Sequence, residues 1–290
     1  MIQYKECYEN GWKVLAEAGI EEAALDARLL LEQICGTDRN TLLIHGDREV
    51  TEQEQLAYTE AIERRSRRIP LQHITGSQNF MGLDFKVNEH VLVPRQDTEI
   101  LVEEVLRELQ DGMQILDLCT GSGCILISLL YYSNWCHGVG VDISRDALEI
   151  ARHNGAALLG QEKQFAFVES DLFAQVEGRF DVIVSNPPYI CREVIETLMP
   201  EVRDHEPRLA LDGGEDGLDF YRRIVAESPA HLNGGGRLYL EIGCDQGDAV
   251  QRLLLEQGFR EVNIVQDYAG LDRVVYGSWP IRITNTEIQL

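Results

Sequence analysis

Apolar residues recur at three- and four-residue spacing through the first 75 positions, in Val14, Leu15 and Ala18 and again in Leu25, Leu29, Leu30 and Ile34, which predicts amphipathic helices. Thr51 followed by Glu54 has the spacing of a capping box and predicts a third helix running to about Arg68, closed by Pro70. Over 76–94 apolar and polar positions alternate through Phe80, Leu83, Phe85 and Val87 around glycine and asparagine, the pattern of a short hairpin joining two domains. From Gln96 onward the period switches repeatedly: MQILDL, HGVGVD, QFAFVES, FDVIVS and GRLYLEIG read as strands, with helical stretches such as CILISLLYY, ALEIARHNGAALLG and 217–232 between them. Strands apolar on both faces and alternating with helices predict an α/β fold with a doubly wound parallel sheet. The expected division is a helical domain over 1–75, a hairpin linker over 76–94 and an α/β domain over 95–290.

Composition narrows the setting. The 290 residues carry 26 Lys and Arg against 49 Asp and Glu, a net charge of −23 that repels a phosphate backbone over most of the surface, so stable DNA binding is not expected. No run reaches the length of a membrane span, and the N-terminus lacks the basic-then-apolar layout of a signal peptide, so a cytoplasmic protein is expected. Seven scattered cysteines without a C-x-x-C pair read as reduced thiols, with no metal site. The densest basic cluster, Arg64, Arg65, Arg67 and Arg68, falls at the end of the third helix. Favourable placement against the helix dipole is one reading, and contact with an acidic partner or RNA the other.

The strand ending at Asp117-Leu118 runs into Cys119-Thr120-Gly121-Ser122-Gly123 and then a helix, the arrangement in which backbone approaches a nucleotide-like cofactor closely. Asp142 ends the next strand at the offset from the glycine turn where a carboxylate accepts both ribose hydroxyls. Ser170-Asp171 ends the third at the same edge, where a carboxylate can accept from adenine's exocyclic amine. Leu126 stands where a dinucleotide fingerprint requires its third glycine, which disfavours a dehydrogenase. S-adenosylmethionine carries a sulfonium and no phosphate, and is compatible with Asp117, Asp142 and Asp171. Asp117 can equally brace the turn.

Asn186-Pro187-Pro188-Tyr189 follows the fourth strand and carries the chemical signal. An amide or exocyclic amine nitrogen is a weak nucleophile because its lone pair is conjugated. If the Asn186 side-chain oxygen and the Pro187 carbonyl each accept one N–H, the NH₂ group is held with its lone pair turned toward a methyl donor, and Tyr189 can stack on the planar group. Positioning and hydrogen bonds that strengthen as charge develops then supply the catalysis.

DLCTGSG, the acids at 142 and 171, and SNPPYI resemble the class I S-adenosylmethionine methyltransferases that modify planar NH₂ groups. Within them, residues 69–103, containing PRQDTE, and 201–224, containing GGEDGLDFYRRI, are similar to the HemK/PrmC family of release factor glutamine N5-methyltransferases. The resemblance implies a seven-stranded sheet with one antiparallel strand, a small N-terminal helical domain that recognises substrate, and methylation of the glutamine in the Gly-Gly-Gln loop of peptide chain release factors; separately, a monomer is expected. It assigns Cys119, Thr120, Gly121, Ser122 and Gly123 to the methionine part of the cofactor, Asp142 to the ribose, and Leu172 beside Asp171 to the adenine. Asn186 through Tyr189, including Pro188, would hold the substrate glutamine. Cys119 departs from the glycine of many relatives and Gln96 from proline. Arg95, Asp97 and Glu99 have two readings, capping of the next helix or contact with substrate. The alternative reaction is methylation of an adenine or guanine amine in DNA or RNA.

Overall fold

The computed structural model describes residues 2–161 and 163–281. They form two compact units. The smaller comprises the chain up to Ser77 together with a later segment, Leu198–Glu206; the larger comprises Gln78–Thr197 and the chain from Pro207 onward. This division differs from the expected one in two respects. The hairpin belongs almost wholly to the larger unit, and nine residues well inside the α/β region belong to the helical one. Both departures have a packing cause: Phe80 and Phe85 are fully buried in the core of the larger unit, and Glu201 is bound by arginines of the smaller.

In the smaller unit, helices Tyr4–Glu17, Ala23–Cys35 and Glu52–Ser66 pack around Leu15, Ala27, Leu30, Leu31 and Tyr58. Val14 and Leu25, expected on the apolar faces, are instead more than a third exposed. The third long helix opens on a capping box: the Glu54 N–H donates to the Thr51 hydroxyl at 3.2 Å and the Thr51 N–H donates to the Glu54 carboxylate at 2.8 Å.

The basic cluster at the end of that helix is spent largely inside the unit. Arg65 is buried and donates through Nε to Asp26 at 2.6 Å and through Nη1 to Glu201 at 3.1 Å. Arg68 donates to the same Glu201 oxygen at 3.1 Å and to the Gly19 carbonyl at 2.8 Å, while exposed Arg67 pairs with Glu63. For Arg65 and Arg68 this is neither solvation at a helix end nor a free basic surface.

The larger unit contains a hairpin, β1 (Ser77–Phe80) and β2 (Leu83–Lys86), and a seven-stranded sheet of β3 (Gln114–Leu118), β4 (His137–Asp142), β5 (Gln164–Glu169), β6 (Phe180–Ser185), β7 (Leu232–Glu241), β8 (Arg260–Gln266) and β9 (Asp272–Ser278). The sheet order is β5-β4-β3-β6-β7-β9-β8, parallel throughout except for β9, which runs antiparallel to both neighbours. The expected mostly parallel, doubly wound architecture is the one observed. Alternate residues of each central strand enter opposite cores. Ile115, Val182, Val184 and Tyr239 meet helices Gln96–Leu106, Cys124–Tyr132 and Arg145–Leu158, whereas Leu116, Leu118, Ile183 and Leu238 meet Asp219–His231 and Gly247–Gln257.

Helix Cys124–Tyr132 packs tightly because Gly138 lies under it: a Cβ there would come within 2.5 Å of the Leu126 side chain. The room that a third turn glycine provides in dinucleotide folds is supplied from β4, which accounts for Leu126. The sequence of connections reverses direction on either side of β3, and such a switch point opens a crevice at the carboxyl ends of the strands. Among the described residues no helix is long and apolar enough to cross a membrane.

Candidate active site

A cleft opens at that switch point, and every residue lining it belongs to the larger unit. One wall is the turn after β3. Three of its five residues have left-handed backbone: Cys119 at φ 58°, Gly121 at 55° and Gly123 at 80°. Glycine tolerates this conformation freely, whereas Cys119 holds it against the steric preference of an L side chain. A Cβ on Gly121 would meet no protein atom closer than 4.0 Å, so the glycine is required by the backbone and the space beside it is open. Gly123 is different, since a Cβ there would press on Ile127, Ala151 and Phe167; it serves packing and does not line the cleft.

Two carboxylates hold the turn from opposite sides. Asp142 faces the cleft and accepts from the Gly121 N–H and the Ser144 N–H, each at 2.9 Å. Burial pushes its pKa above the usual carboxylate range despite these two bonds. Asp117 lies behind the turn with no solvent exposure, accepting the Thr120 hydroxyl at 2.6 Å. It does not line the cleft, and the bond it makes is to the turn, through Thr120. Burial, opposed by the Thr120 hydroxyl and the Leu126 N–H, pushes Asp117 up to about 7.

Leu172 lines the cleft in a left-handed conformation at φ 50°, fixed by Ser170, whose hydroxyl donates to the Leu172 carbonyl at 2.7 Å. Asp171 is exposed at the rim and forms an ion pair with Arg223 at 2.9 Å, a partner that competes for the carboxylate expected to meet an adenine amine.

Asn186 and Pro188 line the opposite wall. The Ser185 hydroxyl donates to the Leu118 carbonyl at 2.8 Å, joining the ends of β6 and β3 and so fixing the distance from the tetrapeptide to the glycine turn. Behind the tetrapeptide runs the Gly213-Gly214-Glu215-Asp216-Gly217 stretch. A Cβ on Gly213 would lie 2.7 Å from the Tyr189 Cα, and one on Gly217 would lie 2.4 Å from the Tyr189 carbonyl oxygen. The Ile190 N–H donates to the Leu211 carbonyl, the Gly213 N–H to the Ile190 carbonyl, and Gln246 Nε2 to the Tyr189 carbonyl at 3.0 Å. Pro187 is buried, and the Tyr189 ring packs against the sheet core without lining the cleft, which differs from the expected stacking platform. Burial pushes its phenol pKa up.

PRQDTE resolves into separate tasks. Arg95 lines the cleft, Asp97 forms an ion pair with Arg273 at 3.2 Å, and Glu99 accepts the Met81 N–H of the β1–β2 turn at 2.6 Å. None of the three caps the helix through its side chain. Thr98, passed over in the sequence, is buried and accepts from Asn186 Nδ2 at 3.3 Å. Glu241, also passed over, is 2% exposed at the end of β7, where the Thr98 and Asn186 side chains lie beside its carboxyl and favour its charged form, while its Oε2 has no hydrogen-bond partner. Its signal was available: an acid closing an apolar strand at the edge where Asp142 closes its own.

Comparison with known proteins agrees with this architecture over most of the chain. The PrmC N-terminal domain family matches residues 6–76 and the methyltransferase small domain family residues 95–201. A release factor glutamine methyltransferase of Geobacter sulfurreducens is 44% identical over 264 residues, covering 91% of this chain and 92% of the relative. The chain belongs to the release factor glutamine methyltransferase family. The relative of that name from Caulobacter vibrioides is 43% identical, with 91% and 92% covered. A methyltransferase crystal structure from Pyrococcus furiosus, 20% identical, overlays at a TM-score of 0.53 over 70% of this chain and 91% of that one, a likeness of fold. Within the family's frame, the cleft brings together Cys119, Thr120, Gly121, Ser122, Asp142, Asp171, Leu172, Asn186 and Pro188. It leaves Asp117, Gly123, Pro187 and Tyr189 behind its walls.

Proposed function

We propose that this chain transfers a methyl group from S-adenosylmethionine to the side-chain amide nitrogen of the glutamine in the Gly-Gly-Gln loop of peptide chain release factors. The observation that carries the proposal is the placement of Asn186 in the same cleft as Asp142 and the open Gly121 turn, with its NH₂ group engaged by Thr98 and its oxygen left to accept.

The cleft fits the donor. Asp142 spends one lone pair of each oxygen on a backbone N–H and keeps the others for ribose hydroxyls. Leu172 and Ile143 offer apolar surface for a purine, and the empty flank of Gly121 admits the methionine portion. Bound there, the donor would supply an electrophilic methyl on a sulfonium. The chain's part is to hold the amide: Asn186 Oδ1, which faces the cleft, accepts one N–H of the glutamine, so the nitrogen meets the methyl with its lone pair forward. As positive charge develops on nitrogen that bond strengthens, which lowers the barrier, and the surplus N–H proton then leaves to water. The test is the intact mass of a release factor after incubation with enzyme and S-adenosylmethionine. An increase of ~14 Da should appear, with fragment spectra placing it on the glutamine, and a Gly-Gly-Glu loop should receive nothing because it presents no NH₂. Methylation of a nucleic acid base with the release factor untouched would favour the other reaction.

The role of Asp142 is separable from the chemistry. A ligand at about 100 times its Kd stabilises the folded state by ~2.7 kcal/mol. Asp142→Ala is expected to remove most of the thermal shift that S-adenosylmethionine produces, and an undiminished shift would refute the assignment.

Recognition of the intact release factor is assigned to the smaller unit, which presents Leu43 and Ile44 more than two-thirds exposed at the end of a short helix. Replacing both with serine is expected to raise KM for the intact factor while cofactor affinity stays constant. Equal KM for variant and wild type would place recognition elsewhere.

A further inference from the structure

We infer that Glu241, together with Thr98, sets the orientation of the Asn186 amide and is a positioning residue for methyl transfer. The inference rests on the proposed glutamine methylation and deepens it.

The two ends of an asparagine amide are chemically opposite and nearly equal in shape, so only the surrounding hydrogen bonds decide which end faces a ligand. Asn186 sits at the end of β6, Glu241 at the end of the adjacent β7, and Thr98 in the first turn of helix Gln96–Leu106. Glu241 and Thr98 are each 2% exposed. Register pairs Ser185 with Leu240, which sets Glu241 beside Asn186, and because an ionised carboxylate only accepts, it favours the Thr98 hydroxyl and the NH₂ end of Asn186 as its donors. With its proton so committed, Thr98 offers lone pairs, and Asn186 Nδ2 donates to it at 3.3 Å. One assignment is compatible with all three groups, and it leaves Glu241 Oε2 as a buried acceptor without a partner. The NH₂ end of Asn186 points inward to Thr98, and Oδ1 is left for the cleft.

The reversed amide would set Oδ1 against the Glu241 carboxylate and the Thr98 lone pairs, and would present an NH₂ to the substrate NH₂. Leaving those buried acceptors unpaired is costly, so the reversed state is excluded by the same groups that hold the correct one. An acceptor on the NH₂ end also polarises the amide toward its oxygen, which makes Oδ1 a stronger acceptor for the glutamine.

Arg273 and Asp97 face Glu241 from β9 and the 96–106 helix, with Tyr189, Tyr221 and Cys124 completing its surroundings. Burial, opposed by Thr98, Arg273 and Asn186, pushes its pKa up to about 7. Turnover should therefore fall as pH drops through that value, because the protonated carboxyl is a weaker acceptor for Asn186. Asp117 titrates in the same range but braces the glycine turn, so a Glu241 variant tells the two apart.

The experiment compares wild type, Glu241→Gln, Thr98→Val and Thr98→Ser as full-length folded proteins, measuring kcat and KM for a Gly-Gly-Gln substrate, cofactor Kd, and kcat against pH. Misplacement of a reacting group by a distant change can cost ~10²-fold, and Glu241→Gln should lose kcat on that scale with cofactor Kd unchanged and the acid limb near pH 7 gone. Thr98→Val should lose kcat similarly, and Thr98→Ser, which keeps the hydroxyl, should retain it. Wild-type kcat and an intact acid limb in Glu241→Gln would overturn the inference, as would equal losses in Thr98→Ser and Thr98→Val. If Glu241→Gln does not fold, the two Thr98 variants decide. A wild-type enzyme that binds S-adenosylmethionine yet leaves glutamine unmodified refutes the proposed function itself, a result separate from any ranking of the variants.

Discussion

Asn186→Ala is expected to reduce turnover ~10²–10³-fold, because it deletes an acceptor whose bond strengthens as charge develops on the substrate nitrogen. Cofactor affinity should change much less, since Asp142, Leu172 and the 119–123 turn are untouched. Asn186→Asp is the more telling replacement. It keeps an acceptor oxygen toward the cleft, but it replaces the NH₂ that Thr98 and Glu241 require and brings a second carboxyl against a buried one. Like charges at such a distance cannot both ionise cheaply, so the aspartate variant should be impaired as severely as alanine. Single-turnover transfer of a labelled methyl, with thermal shift by S-adenosylmethionine as the folding control, measures both. Near-normal turnover in the alanine variant would end the amide-clamp mechanism.

The largest stability effect is expected at Arg65, far from the chemistry in sequence. Its guanidinium is buried between Asp26 and Glu201, and it also donates to the Ile69 carbonyl at 3.3 Å. Arg65→Ala leaves Asp26, itself 5% exposed, without its charged partner. Removing one member of a buried ion pair typically costs ~3–5 kcal/mol, against ~0–1 kcal/mol for an exposed pair. The exposed Arg67–Glu63 pair in the same turn is the natural control. Urea unfolding followed by circular dichroism should show the large loss for Arg65→Ala and little for Arg67→Ala; equal midpoints would refute the buried-pair argument. Glu201 adds a pH signature. Burial pushes its pKa up, but its own backbone N–H, Arg68 and Arg65 outweigh this and hold it below the ordinary value. Its contribution to stability is therefore complete above the unfolded pKa and is lost as pH falls through the lowered folded one.

These arginines bear on how the chain is divided. Glu201 lies 136 positions from Arg65, between the tetrapeptide and the glycine-rich stretch that supports it, yet its segment belongs to the helical unit. Deletion of the first 75 residues would strip Glu201 of both arginines and leave a buried carboxylate unpaired. Point substitutions on exposed positions are the cleaner way to separate recognition from catalysis.

The local features of this protein were legible in its sequence because each is enforced by neighbours along the chain. A glycine turn between an apolar strand and a helix, an acid closing the next strand, a capping box at Thr51 and Glu54, and alternation of strand with helix all depend on backbone geometry and periodicity, which a single sequence displays. Motif resemblance extended this to the tetrapeptide and its chemistry. Tertiary structure decided whatever depended on partners distant along the chain. Asp117 and Asp142 both lie at the carboxyl ends of neighbouring strands, and only the fold set one behind the turn and the other in the cleft. Asp171 looked free until Arg223, 52 positions later, came to pair with it. Thr98 and Asn186 meet across 88 positions, at a carboxylate supplied by a third element. Hydrogen bonds and ion pairs are short-ranged, so they report which segments folding has brought together, and periodicity carries no record of that.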